Sequence, residues 1–386
     1  MIRTGYSIAT DPTLFLGFSM SSRLNFPYIY GQLLLPPNSL SYGTTFRQGL
    51  PAVVAPDFTS GSVPVPGLAV VDTYNNANYV RGYIQSWNFT VEQQVRNLLV
   101  SAGYVGTRYI DPQNNLQMNW SPINGGAAGE ILNQLTGRTA STVFLGTLGT
   151  NTYDGLQTRA QARFGDSQVA VAYTFGKALG YAITPQVEIP QSYQANRGPQ
   201  STDITHIFSL TGLAGLPFGE GKRWAQRGWP SKLAGGWQLS TVVTAHSGLT
   251  FTPTASSSSL NSPFSNQFAN CIGSPVKVGS LYQWYAPSAF AVPASGTLGN
   301  CGANSLFGPG LFNVDLGVTR AFKITERFKL QFRTEMFNVA NTPHHVMPSG
   351  NASVNSSSFM QVTSILNTGR DGVEQRAVRF SLRLGW

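Results

Sequence analysis

The stretch that decides the fold is the last one, "AVRFSLRLGW", residues 377–386. Val378, Phe380, Leu382, Leu384 and Trp386 alternate with Arg379, Ser381, Arg383 and Gly385. An apolar side chain at every second place is the period of a strand with one apolar face and one wet face. Soluble chains usually let their termini fray as polar ends, whereas this strand runs to an indole. Lipid on one side, water on the other and a tryptophan at the membrane interface account for all three features.

The same alternation recurs upstream. In "FNVDLGVT", Phe312, Val314, Leu316 and Val318 share one face, and Asn313, Asp315, Gly317 and Thr319 the other. In "FKLQFRTEM", Phe328, Leu330, Phe332 and Met336 oppose Lys329, Gln331, Arg333 and Glu335. A β-sandwich shows this alternation with its apolar face turned inward. Two features favour a barrel. The segments run to ~10 residues or more, the length of a tilted membrane strand, and Trp87, Trp237, Phe312 and Trp386 gather toward segment ends like an interfacial girdle.

The links between segments alternate in length. Tight turns are expected at Arg96–Asn97, at Gly165–Asp166 and at "TER" (residues 325–327), a middling basic link at "GKRWAQRGWPSK", and long polar links between the other segments. Short, long, short, long is the rhythm of an up-and-down barrel with short periplasmic turns and long extracellular loops. The reading is therefore all-β: an antiparallel transmembrane outer-membrane β-barrel, partial, of roughly ten strands.

Composition agrees. The 386 residues carry only 11% Asp, Glu, Lys and Arg, against about 25% in typical soluble domains. The 23 Phe, 15 Tyr and 7 Trp are too many for a chain that never packs. No run approaches the ~20 apolar residues of a membrane helix, and a chain without such helices crosses a bilayer only as a closed barrel. The start "MIRTGYSIATDP" lacks the apolar core of a signal peptide, so export would require a start upstream of Met1. The net charge of +9 is scattered rather than clustered with stacking aromatics, so no nucleic-acid partner is expected. The two cysteines, Cys271 and Cys301, share one Gly/Ser/Pro/Asn-rich link and lack zinc-site spacing. A disulfide in an oxidising compartment is the expectation, with two unrelated thiols as the alternative.

Several segments also resemble a family. "YIQSWNFTVEQQV" with "SAGYVGTR", "GLQTRAQARF" with "VAYTFGKAL", "DITHIFSLTGLAGLPFGEGKRW", "GGWQLSTVVTAHSGLTFT" and "FGPGLFNVDLGVTRAFKITERFKLQFRTEMFNVANTP" follow the order seen in Oar-like TonB-dependent transporters. The resemblance covers most of residues 79–386, and residues 1–36 look like an earlier strand and loop of the same barrel. It implies uptake of a scarce solute through the outer membrane of a Gram-negative-type bacterium. Implied partners are outer-membrane lipid, the barrel assembly machinery and TonB. Phe380, Leu382, Leu384 and Trp386 would form the C-terminal assembly signal. Neither the family's plug and TonB box nor its N-terminal carboxypeptidase-regulatory-like domain is found here. Roughly ten strands also fall short of the about 22 that surround a plug. The expectation is the C-terminal portion of a barrel that contacts TonB only through upstream regions. A passive pore or adhesin barrel, and a secreted β-sandwich binding module, are the alternatives.

No catalytic, cofactor or metal residue is nominated, and no enzyme is expected. "LPFGEGKRW" imitates a phosphate loop, but Gly215 and Gly221 are one residue too far apart and Arg223 stands where Ser or Thr is needed. His246 and Ser247, as strand neighbours, would face opposite ways. His344 and His345 lack a clear third ligand and read as solvated. "NFT" (residues 88–90) fits a glycosylation acceptor but falls within a strand. Asp315, Arg333, Glu335, Arg379 and Arg383 are expected to line the lumen, paired with one another.

Overall fold

A computed structural model describes residues 1–11, 41–50, 52, 57–61, 71–73, 80–181, 190–366 and 375–385. Ten antiparallel strands form one sheet in chain order: β1 (Ile2–Thr10), β2 (Tyr83–Val95), β3 (Leu98–Ile110), β4 (Thr150–Phe164), β5 (Ser167–Tyr181), β6 (His206–Gly215), β7 (Trp237–His246), β8 (Leu311–Lys323), β9 (Lys329–Phe337) and β10 (Ala377–Gly385). Each pairs with the next, and a short strand, Arg197–Pro199, adds to the outer end of β5. Among the described residues β1 and β10 are not paired with each other, so the sheet described is open between them. No helix among the described residues is long and apolar enough to cross a membrane.

The expected tight turns join β2 to β3, β4 to β5 and β8 to β9. In the first two, a residue with positive φ follows the strand, Arg96 at 53° and Gly165 at 56°, as hairpin loops of two residues require. At the third, Ile324 N donates to Phe328 O at 3.0 Å. The β6–β7 link carries a short helix, Gly228–Ala234, and the β3–β4 link another, Ile131–Thr136. We number these α2 and α1 in chain order.

Register aligns the two faces across the sheet. Directly opposed residues of an antiparallel pair point the same way. Val243 lies opposite Leu210 and Val314, Leu316 opposite Met336, and Phe332 opposite Leu382. On the other face Val242 meets Asp315, Gly317 meets Glu335, and Glu335 meets Arg379. Opposite Trp87 stands Gly106, where a Cβ would come within 2.4 Å of the indole; the ring occupies the space that a side chain there would need.

Burial is inverted relative to a soluble sheet. Phe380 is 71% exposed and Leu382 69%. A sandwich would bury exactly such a row between its layers; in a membrane the row is covered by lipid. The buried hydrophobic cluster lies instead in the links beyond the ends of the strands: Phe251, Trp284, Phe290, Leu306 and Met360 are among its members.

Two sequence expectations need adjustment. The strand expected through "AHSGLTF" stops at His246, and Thr250–Phe251 pairs with Leu306–Phe307 outside the main sheet. A Cβ at Gly248 would lie 1.9 Å from the Gly308 carbonyl oxygen, so backbone contact ends the strand there. β2 begins at Tyr83 rather than Tyr79. Trp386 lies outside the described residues, as do residues 12–40.

Candidate solute-facing site

The polar face of the sheet is a wall of Gln, Thr, Ser and Arg. A shallow groove on it is lined by Arg159, Gln161, Gln168, Thr211 and Ser240. Two charge pairs lie on this face: Arg3 meets Glu92 at 3.3 Å, and Arg333 pairs with Glu335. Asp315 accepts from Asn313 Nδ2 at 3.0 Å and from the Asn338 amide at 2.9 Å. Arg379 stands opposite Glu335 with its guanidinium 5.3 Å from the Phe337 ring, and Arg383 stands opposite Gln331. Side chains this open to solvent hold one another weakly, each pair contributing about 0–1 kcal/mol.

At the end of the sheet away from the tight turns, four long links condense into one cap. Residues 247–310 and 338–366 share the apolar cluster. Residues 111–149 join through Trp120 and Ile123, packed on Phe268 and Ala303, and through Asn124 N to Leu260 O at 2.8 Å and Ser262 Oγ to Ser121 O at 2.6 Å. The link after β5 joins through Thr250 Oγ1 to Gln200 O at 2.7 Å and Asn304 Nδ2 to Pro199 O at 2.8 Å. Gly198 fits there because a Cβ would lie 2.2 Å from the Ala303 carbonyl oxygen. Cys271 and Cys301 form a disulfide with Cα atoms 5.0 Å apart.

A polar cluster fixes the first of these links. Asn119 is fully buried. Its Nδ2 reaches Glu130 Oε2 and Arg138 O, each at 2.9 Å, and its Oδ1 accepts from Leu132 N, in the first turn of α1, at 2.9 Å. Burial raises the Glu130 carboxyl above its ordinary value, against the opposing pull of the Asn119 bond.

Sheet, faces and cap together describe a wall built for lipid outside and water inside, and residues 1–378 match the outer membrane beta barrel domain family. The chain belongs to this family of outer-membrane barrels. Its place is the outer membrane of a Gram-negative-type cell. No curated protein is similar enough to match it. Among solved structures it is similar to the FrpB iron transporter from Neisseria meningitidis, at 9% identity and TM-score 0.39, over 81% of this chain and 32% of that one. It is similar to the outer membrane transporter YddB from Escherichia coli at 10% identity and TM-score 0.40, over 83% and 34%. It is also similar to FpvAI in a complex with pyocin S2, at 9% identity and TM-score 0.38, over 80% and 28%. The chain spans about a third of the length of these proteins.

In this outer membrane β-barrel, the five charges singled out from sequence share one face of the sheet, and Phe380, Leu382 and Leu384 share the other. The two cysteines meet within the cap. Among the described residues no group of three His, Cys, Asp or Glu could hold a metal. His344, read as solvated, is buried, and its Nε2 bonds Phe312 O at 3.0 Å: the cap folds over it and the carbonyl replaces water. Sequence reasoning also missed Arg320. It falls in the apolar phase of β8, opposite Trp237, yet is buried. A cation out of phase in an alternating strand is the signal that could have found it.

Proposed function

We propose that this chain is the C-terminal part of an Oar-like, TonB-dependent transporter barrel that takes up a scarce solute. In this reading the cap captures the solute, the polar face bearing Asp315, Arg333, Glu335, Arg379 and Arg383 lines its passage, and upstream regions supply the remaining strands, the plug and the TonB box. The observation that carries it is the cap itself. Two links share an apolar core, a third packs on a second small cluster and a fourth is tied on by hydrogen bonds, which together make a shaped surface at one end of a wet-faced sheet, and preorganisation of that kind favours selective binding. The open edges at β1 and β10 support the partial barrel, because each unsatisfied backbone group in lipid costs several kcal/mol.

The test is uptake in cells. The chain is expressed behind an outer-membrane signal sequence, alone and joined to its upstream coding region, and candidate solutes are supplied with and without the proton motive force. Saturable, TonB-dependent uptake is expected only from the joined form. The same uptake from the chain alone refutes the partial-barrel reading. Energy-independent, unsaturable flux from the joined form refutes the transporter reading in favour of a passive pore.

A further inference from the structure

The β6–β7 link is the odd member among the connections at its end of the sheet. Its neighbour is the tight turn joining β4 to β5: Lys222 Nζ pairs with Asp166, and Gly215 N donates to Ser167 Oγ at 3.2 Å. This is the end of the short turns, the periplasmic end of such barrels. The link nevertheless runs from residue 216 to 236 and carries α2. It exposes three large apolar side chains, Trp229 at 74%, Leu233 at 61% and Trp224 at 50%. Trp229 and Leu233 are four apart and so lie on the same side of the helix. Lys222, Arg223, Arg227 and Lys232 accompany them, against a single acid, Glu220. Arg223 lies over the Trp224 ring at 5.2 Å.

The helix is moored to the apolar side of the wall. The Arg320 guanidinium donates to the carbonyls of Lys232 and Leu233, and Trp237 Nε1 donates to Leu233 O at 3.1 Å. Arg320 and Trp237 are register partners beside Leu239 and Val318, on the face that meets lipid. The guanidinium also packs on Phe322 and Trp237, at 4.2 and 5.3 Å. The cation therefore sits at the C-terminal carbonyls of a helix, where positive charge is favoured, and holds α2 against the lower rim of the lipid-facing band.

We propose that this link is a binding site for anionic phospholipid of the periplasmic leaflet. Trp224, Trp229 and Leu233 enter the interface, and Arg223, Arg227 and Lys232 hold the headgroup phosphates. Large apolar groups exposed to water are unfavourable; at the bilayer interface an indole is at its most stable, and basic residues are drawn to anionic headgroups. Continuity with the lipid-facing band through Arg320 sets the depth, so that a helix too short to bind a membrane by itself is held where the interface lies.

The experiment replaces Trp229 with p-benzoylphenylalanine in the full-length protein assembled in living cells. Irradiation is expected to give glycerophospholipid adducts, whereas the same probe at Tyr282, exposed in the cap, gives none. Adducts with lipopolysaccharide or with a periplasmic protein, or no lipid adduct, overturn the proposal. A second variant, Arg223→Gln with Arg227→Gln and Lys232→Gln, should lower the ratio of phosphatidylglycerol to phosphatidylethanolamine adducts by about five-fold for each charge that acts. Only assembled, heat-modifiable protein is scored. An unchanged ratio in that protein overturns the proposal as surely as a missing adduct, because every removed side chain lies outside the strands.

Discussion

Val242 and Val243 offer a controlled test of which face of the wall meets lipid. They are adjacent, identical and central in β7. Val242 lies opposite Thr211 and Asp315, and Val243 opposite Leu210 and Val314. Arginine at either site loses the same β-branched side chain, so strand propensity, which spans about 1 kcal/mol, cancels in the comparison. Val243→Arg forces a charge into lipid near mid-depth, at a cost of about 2–4 kcal/mol. Val242→Arg points into water across from the Asp315 carboxylate, an ion pair contributing about 0–1 kcal/mol in favour. The expected difference of about 2–5 kcal/mol corresponds to roughly 30- to 5,000-fold in the folding equilibrium. The assay is denaturant unfolding of the complete barrel refolded in vesicles, read as a shift in midpoint at constant slope. Equal losses, or a greater loss at Val242, would refute the assignment of faces and with it the lumenal role of Asp315, Arg333, Glu335, Arg379 and Arg383.

The remaining expectations concern the cap and its counterpart at the other rim. Replacing both Cys271 and Cys301 with Ser releases a loop whose ends are 30 residues apart; loop entropy sets the loss at about 3–4 kcal/mol, measurable as faster proteolysis of residues 247–310, and mass spectrometry of protein from intact cells should show no free thiol before reduction. Because burial raises the Glu130 carboxyl, the folded state binds a proton that the unfolded chain has already released. The cap is therefore firmest below the ordinary carboxylate range and loses stability as pH rises through the raised value. Glu130→Gln keeps an acceptor for Asn119 and should abolish that dependence; hydrogen exchange across residues 117–142, corrected for intrinsic rates, checks it, and an undiminished pH effect in the variant would count against it. Arg320→Leu leaves the Lys232 carbonyl without its donor and Leu233 O with only Trp237 Nε1, so trypsin should cut after Lys232 faster than in the parent, while cutting in the cap stays unchanged.

The wall was legible because its physics is periodic. Alternation in "FNVDLGVT" and "FKLQFRTEM" assigns Leu316 and Met336 to one face and Gly317 and Glu335 to the other, and the register pairs them in that way. The turns were legible for a local reason: a two-residue hairpin loop has few solutions. The cap was not. Phe251, Trp284, Phe290 and Met360 reach its core from aperiodic links, and nothing in the spacing of one predicts the position of another. His344 shows the consequence, since burial created by a distant link cannot be read from its Pro-flanked neighbourhood. Arg320 was half legible: its phase is wrong for lipid, but its partners are backbone carbonyls of α2, which leave no trace in residue identity.

The cap also bears on how the protein is made. Its joints span great distances along the chain: Ser262 meets Ser121 and Asn124 meets Leu260. Contacts between such remote residues form late, after the intervening segments have been drawn together. Here the drawing together is done by the wall, because the links share a core only when the intervening hairpins stand side by side in their proper order. A slip of one residue in any strand turns its side chains to the opposite face and shifts the links it carries. Formation of the cap is therefore contingent on the register of the wall. A wall in correct register carries a folded, disulfide-bonded cap at one end, and a slip in register would pull apart the contacts that hold its links together.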